Sequence, residues 1–372
     1  MTETATTVEL GGRAVVMTYS GIAAEYEAMH RRAIVVDRSH RDRMRFAGNK
    51  SADALNGLVT NDVTALGAGQ GMYAAALTAK GKVVADLRIL RLETDYLVDV
   101  SARAREGWTS LVRKYVNPRL AAYTDVTASS RVVGVFGTQA RYVVEEVTGL
   151  GHSALGILLP YHHVTVQHDG VEMRVMRSPD LGVEGYEIFV LPEAFETVWE
   201  LSTKAHATPA GIAVCDVARV EAGRPEWGVD MDDNTIPQEA NLEDLGAISY
   251  TKGCYTGQEV VARVHFRGHV NRTLRGLRAA GTVPPPQRAT LLDVEGKVVG
   301  EVRSSLTSPR LGGIALAMVR REIENGAPLT ARWTVETGSQ RAGEAGEAGD
   351  AETAGAAGEA QVDVVALPFP SP

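Results

Sequence analysis

The chain has 372 residues, 44% of them hydrophobic, a formal net charge of -8 and two cysteines, Cys215 and Cys254. That length can bury more than one core, two thiols so far apart exclude a disulfide framework, and the acidic balance argues against bulk nucleic-acid binding. Residues 1–12 carry neither a basic nor an apolar signal region and no run reaches about 18 apolar residues, so a cytoplasmic protein without a membrane span is expected.

Residues 1–20 read as an extension ahead of an α+β body spanning 21–272. Strands are predicted near residues 83–90 and 96–100. Trp108, Leu111, Val112 and Tyr115 then recur at helical spacing. A strand near 132–136 follows. Residues 163–167 and 171–176 flank His168-Asp169-Gly170, the pattern of a hairpin. Another strand near 185–190 precedes a helix marked by Phe195, Val198 and Trp199. Cys215 stands between Val214 and Asp216 where a helix starts, so burial is its default. Arg263, His265 and Arg267 alternate with Val264 and Phe266, which predicts a strand with one basic face. From residue 273 to 372 strands dominate. Residues 291–294 and 298–302 flank Glu295-Gly296-Lys297, a second hairpin, and a small β-barrel-like domain is predicted. Residues 342–360 are nearly all Ala, Gly and acid. They lack the apolar surface to offset ordering entropy, so they are predicted to be a disordered insertion in that domain. Val362, Val364, Val365 and Leu367 are predicted to return to its sheet as a strand, stopped by Pro368 and Pro370.

The string Lys252-Gly253-Cys254-Tyr255-Thr256-Gly257-Gln258-Glu259 is the most distinctive in the chain. A glycine-bounded thiol close to a lysine is positioned to be exposed and partly ionised. The alternative is a turn whose cysteine packs as a small hydrophobe. There is no GxGxxG after a strand, no Walker motif and no HExxH. Without a CxxC or a His/Cys cluster, no metal site is expected.

This string resembles the KGC-x-x-GQE signature of the YgfZ family, folate-binding relatives of the aminomethyltransferase (T-protein) of the glycine cleavage system. Other strings are similar to T-protein segments in unbroken order: Asp37-Arg38-Ser39-His40, Thr60-Asn61-Asp62, Asp216 to Gly223, and Trp227 to Glu239. The resemblance implies an α+β T-protein fold, three subdomains in a ring around a folate channel. It also implies a tetrahydrofolate ligand, with Arg219 in the helix from Asp216 and Tyr73 at the folate site. The family's role in maintaining iron–sulfur proteins, and through them tRNA modification, would make iron–sulfur proteins the clients. A rival activity is true aminomethyl transfer to tetrahydrofolate, and another is folate sensing without chemistry.

Alternation in the strand near 83–90 puts Asp86 and Arg88 on the same side, away from Ala85 and Leu87. This is either a surface ion pair or, by resemblance, the acid beside N5 of the folate, which would make Asp86 catalytic as well as folate-binding. The resemblance expects a further acid where Ala85 stands. Glu187 is a lone carboxylate in an apolar strand. It either faces water from a sheet edge or needs a buried partner, and a pterin's paired donor edge would supply one. Tyr73 is suited to stack on the pterin or to pack structurally. The basic face with Arg263 is a solvated surface, a grip for folate carboxylates, or an RNA phosphate contact. Cys254 is the candidate reactive group.

Overall fold

The computed structural model describes residues 6–334 and 357–370. It divides into two compact units, Met1–Val270 and Asn271–Pro372. The first unit opens with a hairpin, β1 (Thr6–Leu10) and β2 (Arg13–Thr18), in the segment expected to be an extension. Helix α1 (Ile22–Arg31) leads to β3 (Ile34–Asp37). The chain then builds a different sheet from β4 (Asp42–Ala47), α2 (Ser51–Leu58), β5 (Gly71–Leu77), β6 (Val83–Arg91), β7 (Tyr96–Val100), α3 (Arg105–Tyr115) and β8 (Ala122–Asp125). It returns to pair with β3 through β9 (Arg131–Phe136). After α4 (Ala140–Thr148) and α5 (His152–Gly156) come β10 (His163–His168), β11 (Val171–Arg177) and β12 (Gly185–Val190). The unit ends with α6 (Phe195–Lys204), β13 (Thr208–Pro209), α7 (Ile212–Glu221) and α8 (Gln258–Arg267).

Two sheets therefore interleave along the sequence: a six-stranded one ordered β10-β11-β12-β9-β3-β13 and a five-stranded one ordered β5-β6-β7-β4-β8. Each buries one face under helices. Trp108, Leu111 and Val112 of α3 pack with Leu55 and Leu58 of α2 on the five-stranded sheet. Val143, Val144 and Val147 of α4 pack with Phe195 and Val198 of α6 on the other. The β10–β11 hairpin turns through Asp169 and Gly170, both at positive φ (49° and 79°), as an Asp-Gly turn requires.

The second unit is a closed barrel of β14 (Arg272–Ala279), β15 (Thr290–Leu292), β16 (Val298–Ser308), β17 (Gly312–Arg320), β18 (Pro328–Thr334) and β19 (Ala357–Val365). β19 closes it, pairing with β14 on one side and β18 on the other. The predicted strand is thus present but begins at Ala357. The ladder to Thr334 extends over Ala357–Ala360, residues expected to be disordered. Residues 342–356 of that expected insertion lie outside the described residues.

Residues 263–267, expected to be a strand, are the end of α8 instead. Val261 is the helix's one buried residue, so no apolar stripe marks it and five residues of accidental alternation imitate a strand. No helix among the described residues is long and apolar enough to cross a membrane.

Candidate functional site

Alternation along β6 sends Ala85, Leu87 and Ile89 into the apolar cluster with α2 and α3, leaving Asp86 and Arg88 to line a pocket on the opposite face. Ala85, where the resemblance expects an acid, is fully buried in that cluster, so its side chain removes nothing from the pocket wall. Tyr73 comes from the neighbouring β5, and its hydroxyl donates to Asp86 Oδ2 at 3.0 Å. The segment after β3 contributes Arg38, His40 and Arg41. That after β11 contributes Asp180, and α7 with the loop behind it contributes Cys215, Asp216, Arg219, Arg224 and Glu226. Leu10 of the N-terminal hairpin, and Arg103 between β7 and α3, complete much of the wall. The cavity encloses about 800 Å³ with its mouth included, a size typical of small-molecule sites.

Six arginines and four acids line this cavity. Burial raises the Asp86 carboxyl pKa above the usual range, opposed by Arg41 and the Tyr73 hydroxyl. Asp86 Oδ1 is buried and has no hydrogen-bond partner. Burial, and then the charges of Arg38 and Arg41, hold the His40 imidazole well below its ordinary pKa, so it is neutral at physiological pH. Its Nδ1 is also buried without a hydrogen-bond partner, as is Arg38 Nε, which keeps an ion pair with Glu187 at 3.5 Å. A buried polar atom left unpaired costs about 1–3 kcal/mol. Two such atoms, on His40 and Asp86, belong to residues that line the cavity.

The wall continues inward as a buried charge network. Arg88, 2% exposed, donates from Nε and Nη2 to Asp99 Oδ1 at 3.0 and 2.7 Å. From Nη1 it donates to Glu187 Oε1 at 2.8 Å and to Asp180 Oδ2 at 3.2 Å. Arg41 also donates to Asp99. The guanidiniums of Arg41 and Arg88 hold the Asp99 carboxyl well below the usual range, against the opposing effect of burial. Glu187 is 0% exposed on β12, which has strands on both sides, so the sheet-edge alternative is excluded. Its partner is Arg88, with Arg38 Nε at 3.5 Å, and it does not line the pocket.

Arg219 does line it. It donates to Asp216 at 2.8 Å and to the fully buried Asp230 at 2.7 Å. Asp230 also accepts from the Glu226 amide at 3.0 Å, so the Trp227–Glu239 string acts partly as a clamp on this arginine. Tyr73 is buried, its ring parallel to that of Tyr161 at 6.0 Å. Tyr161 donates to Asp180 at 2.7 Å and accepts from Arg224 at 3.3 Å. Arg263 is exposed on α8 and outside the pocket wall. It therefore does not join the other candidates.

Cys254 is exposed, as expected, and also outside the wall. The lysine expected to act on it is otherwise engaged. Lys252, 8% exposed, donates from Nζ to the carbonyls of Asn56, Val59 and Asn61 at 2.6, 2.7 and 2.8 Å, which ties the loop to the end of α2. Gly257 adopts φ 83°, and a Cβ there would sit 2.5 Å from Thr78 O, so the glycine is required. Cys215, in contrast, is buried in the pocket wall, where burial pushes its thiol up to about 12.

Sequence reasoning missed His40, Arg41, Asp180 and Arg224. His40 stood inside a string already singled out. The other three are joined to the site only by long-range contacts.

Residues 1–249 match the family model of the GCVT N-terminal domain, and residues 272–346 that of the CAF17 C-terminal beta-barrel domain. Among curated proteins, an aminomethyltransferase of Rubrobacter xylanophilus is 31% identical, covering 87% of this chain and 86% of its own. One of Thermotoga neapolitana is 29% identical over 86% of this chain and 87% of its own. Among solved structures, the glycine cleavage system aminomethyltransferase T from Bartonella henselae matches with a TM-score of 0.82. It covers 98% of this chain and 94% of its own at 22% identity, which is a likeness of fold.

Proposed function

Because this chain belongs to the GCVT N-terminal domain family, and joins that domain to a CAF17-type barrel as the YgfZ family does, we propose that its arginine-rich pocket binds a reduced folate. The observation that carries the reading is the pair of buried polar atoms without a hydrogen-bond partner on His40 and Asp86, both residues of one cavity wall. Tetrahydrofolate, when bound, supplies a carrier nitrogen for a one-carbon unit. The chain's own residues divide the remaining work. Tyr73 presents an aromatic wall suited to a planar ring. Asp86 Oδ1 accepts a hydrogen bond from a ring N–H, and burial, which raises its pKa, favours its holding a proton. His40, being neutral, offers either a donor or an acceptor at Nδ1 according to its tautomer. Among the arginines, Arg38, Arg103 and Arg224 are the least tightly paired, with carboxylates at 3.5, 3.5 and 3.9 Å, and Arg103 and Arg224 are suited to glutamyl carboxylates.

The proposal extends to a cytoplasmic role in support of iron–sulfur client proteins and, through them, of tRNA modification. The CAF17-type barrel and the exposed Cys254 in its family string support this. A second reading, aminomethyl transfer to tetrahydrofolate, is favoured by Asp86 and by the activity in the relatives' names. Calorimetry with tetrahydrofolate should show saturable binding that Asp86→Ala weakens about tenfold. No heat and no thermal shift at millimolar ligand would sink the folate reading. Turnover with an aminomethylated lipoyl-carrier protein would select the transferase. Loss of iron–sulfur enzyme activity in cells carrying Cys254→Ala would select the maintenance role, and folate binding with neither effect a sensing module.

A further inference from the structure

A second cavity in the first unit has a chemistry of its own. It lies between the two sheets, on the side of β7 and β12, and shares no lining residue with the first pocket. Its apolar wall is Leu92, Leu97, Val126, Phe189 and Leu191. Leu97 and Phe189 are buried members of the core, whereas Leu191 is 54% exposed, so the apolar surface runs from interior to mouth.

Arg174 stands in this apolar setting. β11 alternates, sending Met173 and Val175 into the core under α4 and α6. Arg174 therefore emerges on the other face, and it is paired in register with Phe189 of β12. Among the described residues no carboxylate forms an ion pair with it, and its Nε is buried without a hydrogen-bond partner. The charges that act on it are Glu172, an attractive exposed neighbour on its own strand, and Arg45, a repulsive one on β4. Glu172 and Arg45 both line the cavity too, and the Arg45 charge is met by Asp95 at 2.7 Å. Burial disfavours the Arg174 charge, yet a guanidinium does not deprotonate in a protein. A partly buried, permanent cation without a counter-ion costs free energy that an anion would recover.

We propose that this cavity is a binding site for a small carboxylate carrying an apolar chain or ring, with Arg174 gripping the carboxylate and the Leu97–Phe189 wall covering the apolar body. The charge selects an anion, and Arg matches a carboxylate with two parallel N–H donors. The wall selects against small hydrophilic anions such as acetate. Ser129 at the rim adds a hydroxyl. The site stands independently of the folate reading, since none of its residues belongs to the first pocket.

Titration of the full chain with decanoate, decanol and acetate tests the assignment, read by calorimetry and by the amide shifts of Val190 and Leu191. Decanoate is expected to bind at least about tenfold more tightly than either control, because a charge-assisted hydrogen bond is worth roughly that factor or more. Arg174→Gln should remove the preference for decanoate over decanol, with an equal or higher melting temperature and unchanged tetrahydrofolate binding. Leu191→Asp, a change at an exposed rim position, should weaken decanoate by placing a like charge at the mouth. Equal affinity for decanol and decanoate, full decanoate binding by Arg174→Gln, or displacement of decanoate by tetrahydrofolate would each overturn the proposal.

Discussion

Glu187 is the residue on which a ligand contact and a structural role predict opposite results. Replacing it by alanine removes the acceptor of the 2.8 Å bond from Arg88 Nη1. It also leaves a 2% exposed guanidinium with one donor short of a partner. A charge-assisted bond contributes about 1.5–3 kcal/mol, and the cavity left by the side chain adds roughly 1 kcal/mol. Breaking a buried ion pair on one side costs about 3–5 kcal/mol by direct comparison, and the sum agrees. Arg88 keeps Asp99, so the loss stays within that range. Glu187→Gln retains an acceptor oxygen and should lose about half as much. The Arg88→Met/Glu187→Met pair should cost roughly 3 kcal/mol less than its two single changes added together. Urea unfolding followed by circular dichroism, with folate calorimetry on the same samples, measures both consequences. A Glu187→Ala protein with a wild-type midpoint and no folate binding would refute the structural role and make Glu187 a ligand contact.

Asp86→Asn keeps an acceptor for the Tyr73 hydroxyl and removes a carboxyl whose pKa is raised by burial. The folded state then binds more protons than the unfolded one between the two pKa values, so the wild type loses stability relative to the variant as pH rises from acid to neutral. Urea midpoints at several pH values should show the gap opening upward in pH, and a gap that closes instead would contradict the raised pKa. Limiting maleimide should label exposed Cys254 first and Cys215 only on unfolding, since burial holds that thiol near 12. Peptide mapping that finds Cys215 labelled first in the native protein would overturn the assignment. Ending the chain before Ala357 removes β19 with Val362 and Val364 and opens the barrel at β14 and β18. The second unit should then lose its cooperative melting transition, and retention of that transition would mean β19 is dispensable.

Local chemistry made much of the fold legible. The Asp169-Gly170 turn, the α3 spacing of Trp108, Leu111 and Val112, and the alternation around Asp86 each encode their element within a few residues. α8 was illegible because a helix with one buried residue has no stripe to reveal its period, and Arg263, His265, Phe266 and Arg267 are all exposed. At the site, Asp86, Tyr73 and Arg219 share one pocket wall. The need of Glu187 for a buried partner was legible, but the identity of that partner was not. Arg88 lies on the other sheet, and no periodicity links residues on separate sheets. For the same reason Lys252 looked like a neighbour of Cys254 in sequence, whereas three carbonyls around the end of α2 hold it in space.

The interleaving of the two sheets sets the order in which a growing chain can fold. β3 leaves the ribosome early, with Ile34, Val35 and Val36 all destined for burial. Its ladder partners are Phe136, Val135 and Gly134. Between them the chain must emit the whole five-stranded sheet. At about 5–20 residues per second, that is a wait of roughly 5–20 s. Through that interval the nascent protein carries a stranded apolar segment whose mate does not yet exist, while the strands of the other sheet emerge one after another. The distant pairing also raises contact order, which slows spontaneous refolding after dilution from denaturant. Substitutions that weaken the five-stranded sheet should therefore lower the yield of native chain during synthesis more than they lower the stability of the finished protein.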